Sequence, residues 1–363
     1  MTRFKRLPIS NVSLCIPLIV LAILAGGCGS TGRRIDDLEK KFEMMQPRVD
    51  SLWNCGKELN WRLGATEDTL RQLRTKFQGF RHGIASYAVP DHMDFAGFDI
   101  QINTPDAKRR LDEAIMYLIN NEARLQQIHG RAYPIYPRVD EILRQEGMSE
   151  DCKFVAVVES GLSMRALSRD SASGMWQFIE ETGFRYGLVR TSTVDERRNF
   201  EKSTRSAARY LRDLTAKFGD ILLALAAYNC GEGCISRAIE FQGVKDYFQL
   251  WLPQETEDYV PRVLAAKLIF DDPGKYGVVL ETRPYWERVE KDTVTVRVTN
   301  SLPAVLVAKW TGMTYRDVRI YNPDLIAVAW GPGTQTINIA KGTKKQFLVG
   351  LASLKGPQGK KKK

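Results

Sequence analysis

Between Phe154 and Gly183 the chain reads FVAVVESGLSMRALSRDSASGMWQFIEETG, and one carboxylate, Glu159, stands at the end of its apolar run. Ser149 is a helix cap ahead of EDCKFVAVVES and Gly161 is a helix stop, so Glu159 falls in the last helical turn. A helix C-terminus carries partial negative charge, which disfavours a carboxylate there. Val155, Ala156, Val157 and Val158 suggest a setting poor in water, which raises a carboxyl pKa. A glutamate that keeps its proton near neutral pH can act as a general acid and protonate the leaving oxygen of a glycosidic bond. A water-facing glutamate at a helix end fits the same residues, and this stretch alone does not separate the two readings.

The elements that must position Glu159 are helical from Thr104 to Phe270. Thr104-Pro105 opens a helix as cap and first residue, and DAKRRLDEAIMYLINNEARLQQIHG runs on to a terminating Gly130. Ser203 caps TRSAARYLRDLTAKFG, which stops at Gly219. ILLALAAYN is apolar all round and predicts a buried helix, and TEDYVPRVLAAKLIF predicts a last one with Pro261 near its start. Residues 81–104 read as a linker with an entry strand. Beyond Pro273 the period changes. DTVTVRV and TQTINIAKG alternate as strands do, with the short helical pieces PAVLVAKWTG and TYRDVRIYNP between them. The expected fold class is mainly α, with a small β-α-α-β module at 290–350 and a basic, disordered tail at 355–363.

The N-terminal region speaks to compartment. Arg3, Lys5 and Arg6 precede a short apolar run, Val12–Ala25, and then LAGGCGS, an export signal too short to span a bilayer. Residues 1–28 form a lipoprotein-type signal: Gly27-Cys28 is similar to a bacterial lipobox, which implies cleavage before Cys28, lipidation of Cys28 as the new N-terminus, and a periplasmic, outer-membrane location. Within 33–80, apolar residues from Ile35 through Leu38, Phe42, Met45, Val49 and Leu52 to Phe80 alternate in steps of three and four. This is a heptad seam. It predicts either an oligomerising stalk or a long helix packed on its own domain, kinked or split at Pro47.

The 363 residues carry 44% hydrophobic side chains and a net charge of +10, so the chain can bury a large core and suits an anionic partner. The positive charge is dispersed and the chain carries an export signal, which argues against a nucleic-acid partner. Only three histidines occur, His82, His92 and His129, at no metal-ligand spacing; this speaks against a His-rich zinc site and against a Ser-His-Asp triad. Cys55, Cys152, Cys230 and Cys234 remain beyond the signal, and their pairing is not legible. Cys230 and Cys234, four apart, suit a local disulfide or two small buried thiols.

Five segments in order, VVESGLSMRALS, SGMWQF, DERRNF, LALAAYNCGEG and ETEDYVPRVLAA, resemble the lytic murein transglycosylases of the soluble-transglycosylase type, most closely their membrane-bound D branch. The fold of that family is similar to goose-type lysozyme, and the resemblance covers about residues 85–275. It implies Glu159 as the single catalytic acid/base on peptidoglycan and Ser160 as the residue orienting it. Gly174, Met175, Trp176 and Gln177 are implied as the cleft-lining element, with Gly174 allowing close approach of sugar. Tyr228, Asn229 and Tyr259 are implied near the acid and the N-acetyl group of the substrate. No cofactor or metal is implied. SRDSASG departs from the family pattern and places Asp170 near the cleft, where a second carboxylate would favour hydrolysis. Cys230 and Cys234 replace an alanine and a polar residue. The C-terminal module resembles a degenerate LysM unit, which implies binding of N-acetylglucosamine chains. A lysozyme-like muramidase and a catalytically idle wall-binding scaffold are the alternative readings.

Overall fold

The computed structural model describes residues 40–41, 43–48, 50–52, 54–59, 66, 87–283 and 290–354. The chain divides into two compact units, Met1–Arg74 and Thr75–Lys363. The signal, Cys28, much of the heptad seam and the tail lie outside the described residues. In the first unit every described residue is helical and exposed, Pro47 included. The seam residues Met45, Leu52 and Leu59 are among them. No described helix is long and apolar enough to cross a membrane.

The second unit opens with a hairpin where a linker and one strand were expected, β1 (His92–Phe95) against β2 (Phe98–Gln101). Helix α1 (Pro105–Ile119) is capped by Thr104, whose side chain accepts from Ala107 N. It does not run to Gly130. The chain turns at Asn120-Asn121, and Asn121 caps a new helix, α2 (Glu122–Gln145), which carries Gly130, Pro134 and Pro137 inside it. Apolar side chains such as Leu125, Ile128 and Val139 bury one face of α2, and this tertiary packing overrides the local breaking signals.

After a single 3-10 turn, α3 (Lys153–Ser160) follows, then α4 (Glu180–Arg185). Helix α5 (Phe200–Phe218) is capped by Asn199, four residues before the expected cap Ser203, which lies inside the helix and is fully buried. Helix α6 (Ile221–Cys230) has Ile221–Ala227 all buried, as its uniform apolarity predicts. Each such leucine removed from water contributes about 1.5–3 kcal/mol. Helices α7 (Glu232–Gln242) and α8 (Gln254–Asp271) complete the bundle, α8 packing on α1, α3 and α6. The buried Arg110 of α1 donates to Tyr247 Oη (2.6 Å) and to the Glu257 carbonyl (2.9 Å), which fixes the first turn of α8.

The C-terminal module has its own apolar core. Strand β3 (Lys291–Val298) pairs antiparallel with β6 (Gly333–Ala340), from Lys291 opposite Ala340 to Val298 opposite Gly333, with Val294, Val296 and Val298 facing inward. Between them lie β4 (Leu302–Pro303), α9 (Ala304–Thr311), α10 (Tyr315–Tyr321) and β5 (Ala329–Trp330). The β4–β5 pair and a last helix, α11 (Lys344–Ser353), enlarge the expected β-α-α-β unit.

Candidate active site

Helix α3 ends where its sequence says it should. Gly161 takes the left-handed conformation (φ 57°), its N–H donates to the Val157 carbonyl, and Leu162 N–H donates to the Ala156 carbonyl. This double bond pattern closes a helix and needs a residue without Cβ strain. Two arginines of α2 bond carbonyls at this helix end: Arg124 donates to Ser160 O (3.3 Å) and Arg131 to Gly161 O (2.9 Å). They supply positive charge at the negative end of the helix dipole. Nothing in the linear pattern of α2 had marked them.

Glu159 leaves this last turn with its Oε1 accepting a hydrogen bond of 2.7 Å from the Tyr259 hydroxyl of α8. Burial pushes its carboxyl up to about 7; the charge of Glu255 adds to the rise and the Tyr259 bond opposes it. Among the described residues no ion pair reaches Glu159, so burial outweighs the one hydrogen bond and the proton is held up to about neutral pH. Tyr259 and Tyr228 are themselves held neutral, their hydroxyls pushed well above the usual range by burial and by the neighbouring Glu159 charge. Both therefore remain phenols rather than phenolates near neutral pH.

The loop 171–178 packs on α3. Ser160 Oγ donates to Met175 O (2.7 Å) and accepts from Ser163 N (3.0 Å). No bond joins it to Glu159, so Ser160 orients the loop rather than the acid. Tyr228 Oη donates to Trp176 O (2.8 Å), and Gln177 Nε2 donates to Gly174 O (2.6 Å). The carbonyls of 174–176 are thereby all engaged, and Gln177 sits at φ 49°, rare for a residue with a Cβ. Three expectations are corrected. Met175 and Trp176 do not line a cleft: both are fully buried, with Trp176 Nε1 bonded to Thr204 Oγ1 (3.0 Å). Gly174 is required by protein rather than by sugar, since a Cβ there would lie 1.9 Å from the Arg197 carbonyl oxygen. Gln177, by contrast, keeps exposed surface.

Asn229, at the end of α6, accepts from Thr256 Oγ1 (2.7 Å), and Thr256 is buried in the first turn of α8. With Oδ1 committed, its NH2 group is the part left for a ligand. The next residue, Cys230, forms a disulfide with Cys234 across the α6–α7 turn (Cα–Cα 5.9 Å). Asp170 is exposed. The site thus gathers a proton-bearing carboxyl, two neutral tyrosines and two amide side chains.

Residues 141–250 match the family model described as the transglycosylase SLT domain. The chain carries an SLT domain. Curated relatives agree. Over 267 residues the chain is 31% identical to membrane-bound lytic murein transglycosylase D of Escherichia coli K12, covering 71% of this chain and 58% of that one. The protein of the same name from Escherichia coli O6:H1 matches equally. The chain thus spans somewhat over half the length of these relatives. Among solved structures, the 70 kDa soluble lytic transglycosylase of Escherichia coli aligns at 16% identity with a TM-score of 0.32, over 48% of this chain and 32% of that one. The SLT match begins inside α2 and ends just before α8. It therefore contains Glu159, Gln177, Tyr228 and Asn229, while Tyr259 reaches the acid from outside it.

Proposed function

We propose that this protein is a peptidoglycan lytic transglycosylase, cleaving the bond between N-acetylmuramic acid and N-acetylglucosamine with Glu159 as its single acid/base. The observation that carries the reading is the Glu159 carboxyl, held by one neutral hydroxyl and pushed to about 7. The SLT match and the names of the relatives supply the substrate class.

Glu159 gives its proton to the bridging oxygen as the C1–O bond breaks, and positive charge develops at C1. The carboxylate left behind lies beside that charge, and the Tyr259 hydroxyl bond stabilises it. The C6 hydroxyl of the muramic acid then attacks C1 and yields its proton to Glu159. One C–O bond is broken and one formed, the enzyme recovers its proton, and the product is a 1,6-anhydro end with no water consumed. A carboxyl whose pKa lies near the working pH serves both transfers. Gln177 and Asn229 present amide donors for the acetamido groups of the substrate. A hydrolytic, retaining route would use a second carboxylate about 5 Å away; Asp170 stands exposed on its loop.

Around this reaction, the Cys28 lipid anchors the exported chain to the outer membrane, the 35–80 heptads join copies into an oligomer, and the 290–350 module binds glycan chains. The test is digestion of purified sacculi, with product masses read by mass spectrometry beside Glu159→Gln. Muropeptides one water lighter than hydrolysis products, absent from the variant, support the reading. Hydrated reducing ends would make the protein a muramidase, and no products at all would leave a wall-binding scaffold.

A further inference from the structure

The loop that carries Gln177 is held from a second side, away from α3. Arg197 donates to Ser171 O (2.9 Å) and Phe178 O (3.0 Å), spanning the two ends of the loop. Its guanidinium is fixed in turn by Asp195, with bonds of 2.9 and 2.7 Å. Arg198 Nε donates to Ser173 Oγ (2.9 Å).

The segment bearing these residues is committed on its other side to the C-terminal module. Val194 belongs to the module's apolar core and bridges Leu325. Asp195 N donates to Asp324 O (2.8 Å), Ile326 N to Thr193 O (2.8 Å), and Gly331 N to Thr193 Oγ1 (3.1 Å). Asn199, the cap of α5, donates through Nδ2 to Asp324 Oδ2 (2.9 Å), and Asp324 is 5% exposed. The module thus shares a core residue, Val194, with the segment that holds the cleft loop.

We infer that the C-terminal module is a buttress of the cleft loop, and that Asp324 and Asn199 are positioning residues acting on Gln177 through the 193–199 segment and Arg197. Gln177 at positive φ is a conformation that persists only where the surroundings over-determine it. Ser160 and Tyr228 fix the loop from the α3 and α6 side. The segment closed by the module fixes it from the other. A module that only gathers glycan changes KM, whereas one that sets loop geometry changes the rate of the chemical step.

The kinetic arm of the test rests on the proposed transglycosylase reading; the exchange arm does not. In the full chain, Asp324→Ala is compared with Asp324→Asn, which keeps an acceptor for Asn199. Asn199→Ser keeps the helix cap but withdraws the amide, and serves if Asp324→Ala fails to fold. Each is assayed on sacculi and on soluble glycan fragments too short to reach beyond the cleft, and amide exchange is followed at Ser173, Gly174 and Gln177. Asp324→Ala is expected to lower kcat roughly tenfold on both substrates, to hold KM within about twofold, and to speed exchange of the loop amides. Asp324→Asn restores most of both. A rise in KM confined to sacculi, with loop exchange unchanged, would overturn the inference and make the module a glycan binder alone. If the unaltered protein makes no product, the proposed function fails, and loop exchange still decides the coupling.

Discussion

Glu159, half-buried at the surface, and Asp195, buried, are both carboxylates set deep among protein atoms, yet they end on opposite sides of the ordinary range. For each, burial is the largest influence and pushes the pKa up. At Asp195 the guanidinium of Arg197 overrides it, through two hydrogen bonds and a close charge, and the pKa falls below the usual range. At Glu159 the only bonded partner among the described residues is a neutral hydroxyl, and the pKa rises to about 7. Burial alone therefore does not make an acid. Burial without a cation does, and the same domain uses the other arrangement a few turns away to lock its cleft loop.

The largest effect expected from breaking this contrast is at the acid itself. Glu159→Gln should lower turnover of sacculi by about a thousandfold or more while the protein stays folded. The same variant should be more stable than the parent at about pH 8. A carboxyl whose folded pKa is raised binds its proton more tightly when folded, so the parent loses stability as pH rises from the unfolded pKa to about 7. Thermal melts should show the gap closing as pH falls toward 4.

Next comes the locked pair. Asp195→Ala leaves Arg197 buried without its counter-charge and should cost about 3–5 kcal/mol in a denaturant titration. Because the folded pKa of Asp195 is depressed, its contribution is present above the unfolded pKa and is lost only as pH falls through the folded value. Melts of parent and variant should converge in acid, as for Glu159→Gln, but at higher pH the parent is here the more stable of the two, the reverse of the Glu159→Gln comparison.

Tyr259→Phe sharpens the comparison at smaller scale. Removing the hydroxyl removes the one influence that lowers Glu159, so the limb where activity falls with rising pH should move above about 7. Turnover at its optimum should drop roughly tenfold, about the worth of one hydrogen bond to a charged group. Glu255→Gln should give the smallest change: the limb moves slightly to lower pH, and added salt should erase the difference, since Glu255 is exposed.

What was legible in the sequence was local. The end of α3 at Gly161, the buried α6 and the strand period of β3 follow from neighbours within a few residues. The ordered motifs pointed to Glu159, Gln177, Tyr228, Asn229 and Tyr259, and the direct bond between Tyr259 and Glu159 joins the first and last of them. What escaped was set by partners distant in the chain. Gly174 looks like a residue yielding to substrate, but it yields to the carbonyl of Arg197. Trp176 is implied as part of the cleft lining, but it is taken up by Thr204 and the core. Gly130 reads as a helix terminator, while the packed face of α2 carries the helix through it and on through Pro134 and Pro137. The docking of the C-terminal module on 193–199 left no periodic trace at all, because it is made by backbone groups, one valine and the short polar side chains of Thr193, Asn199 and Asp324.

The account stands on the protonation of Glu159, and that can be observed without substrate. Carboxyl ¹³C chemical shifts, followed against pH in the glutamate-labelled protein and assigned by comparison with Glu159→Gln, report its titration directly. A midpoint near 7, moving upward in Tyr259→Phe, is the predicted result. A midpoint in the ordinary glutamate range, unmoved by the loss of the hydroxyl, would contradict it and return Glu159 to a carboxylate that water can reach.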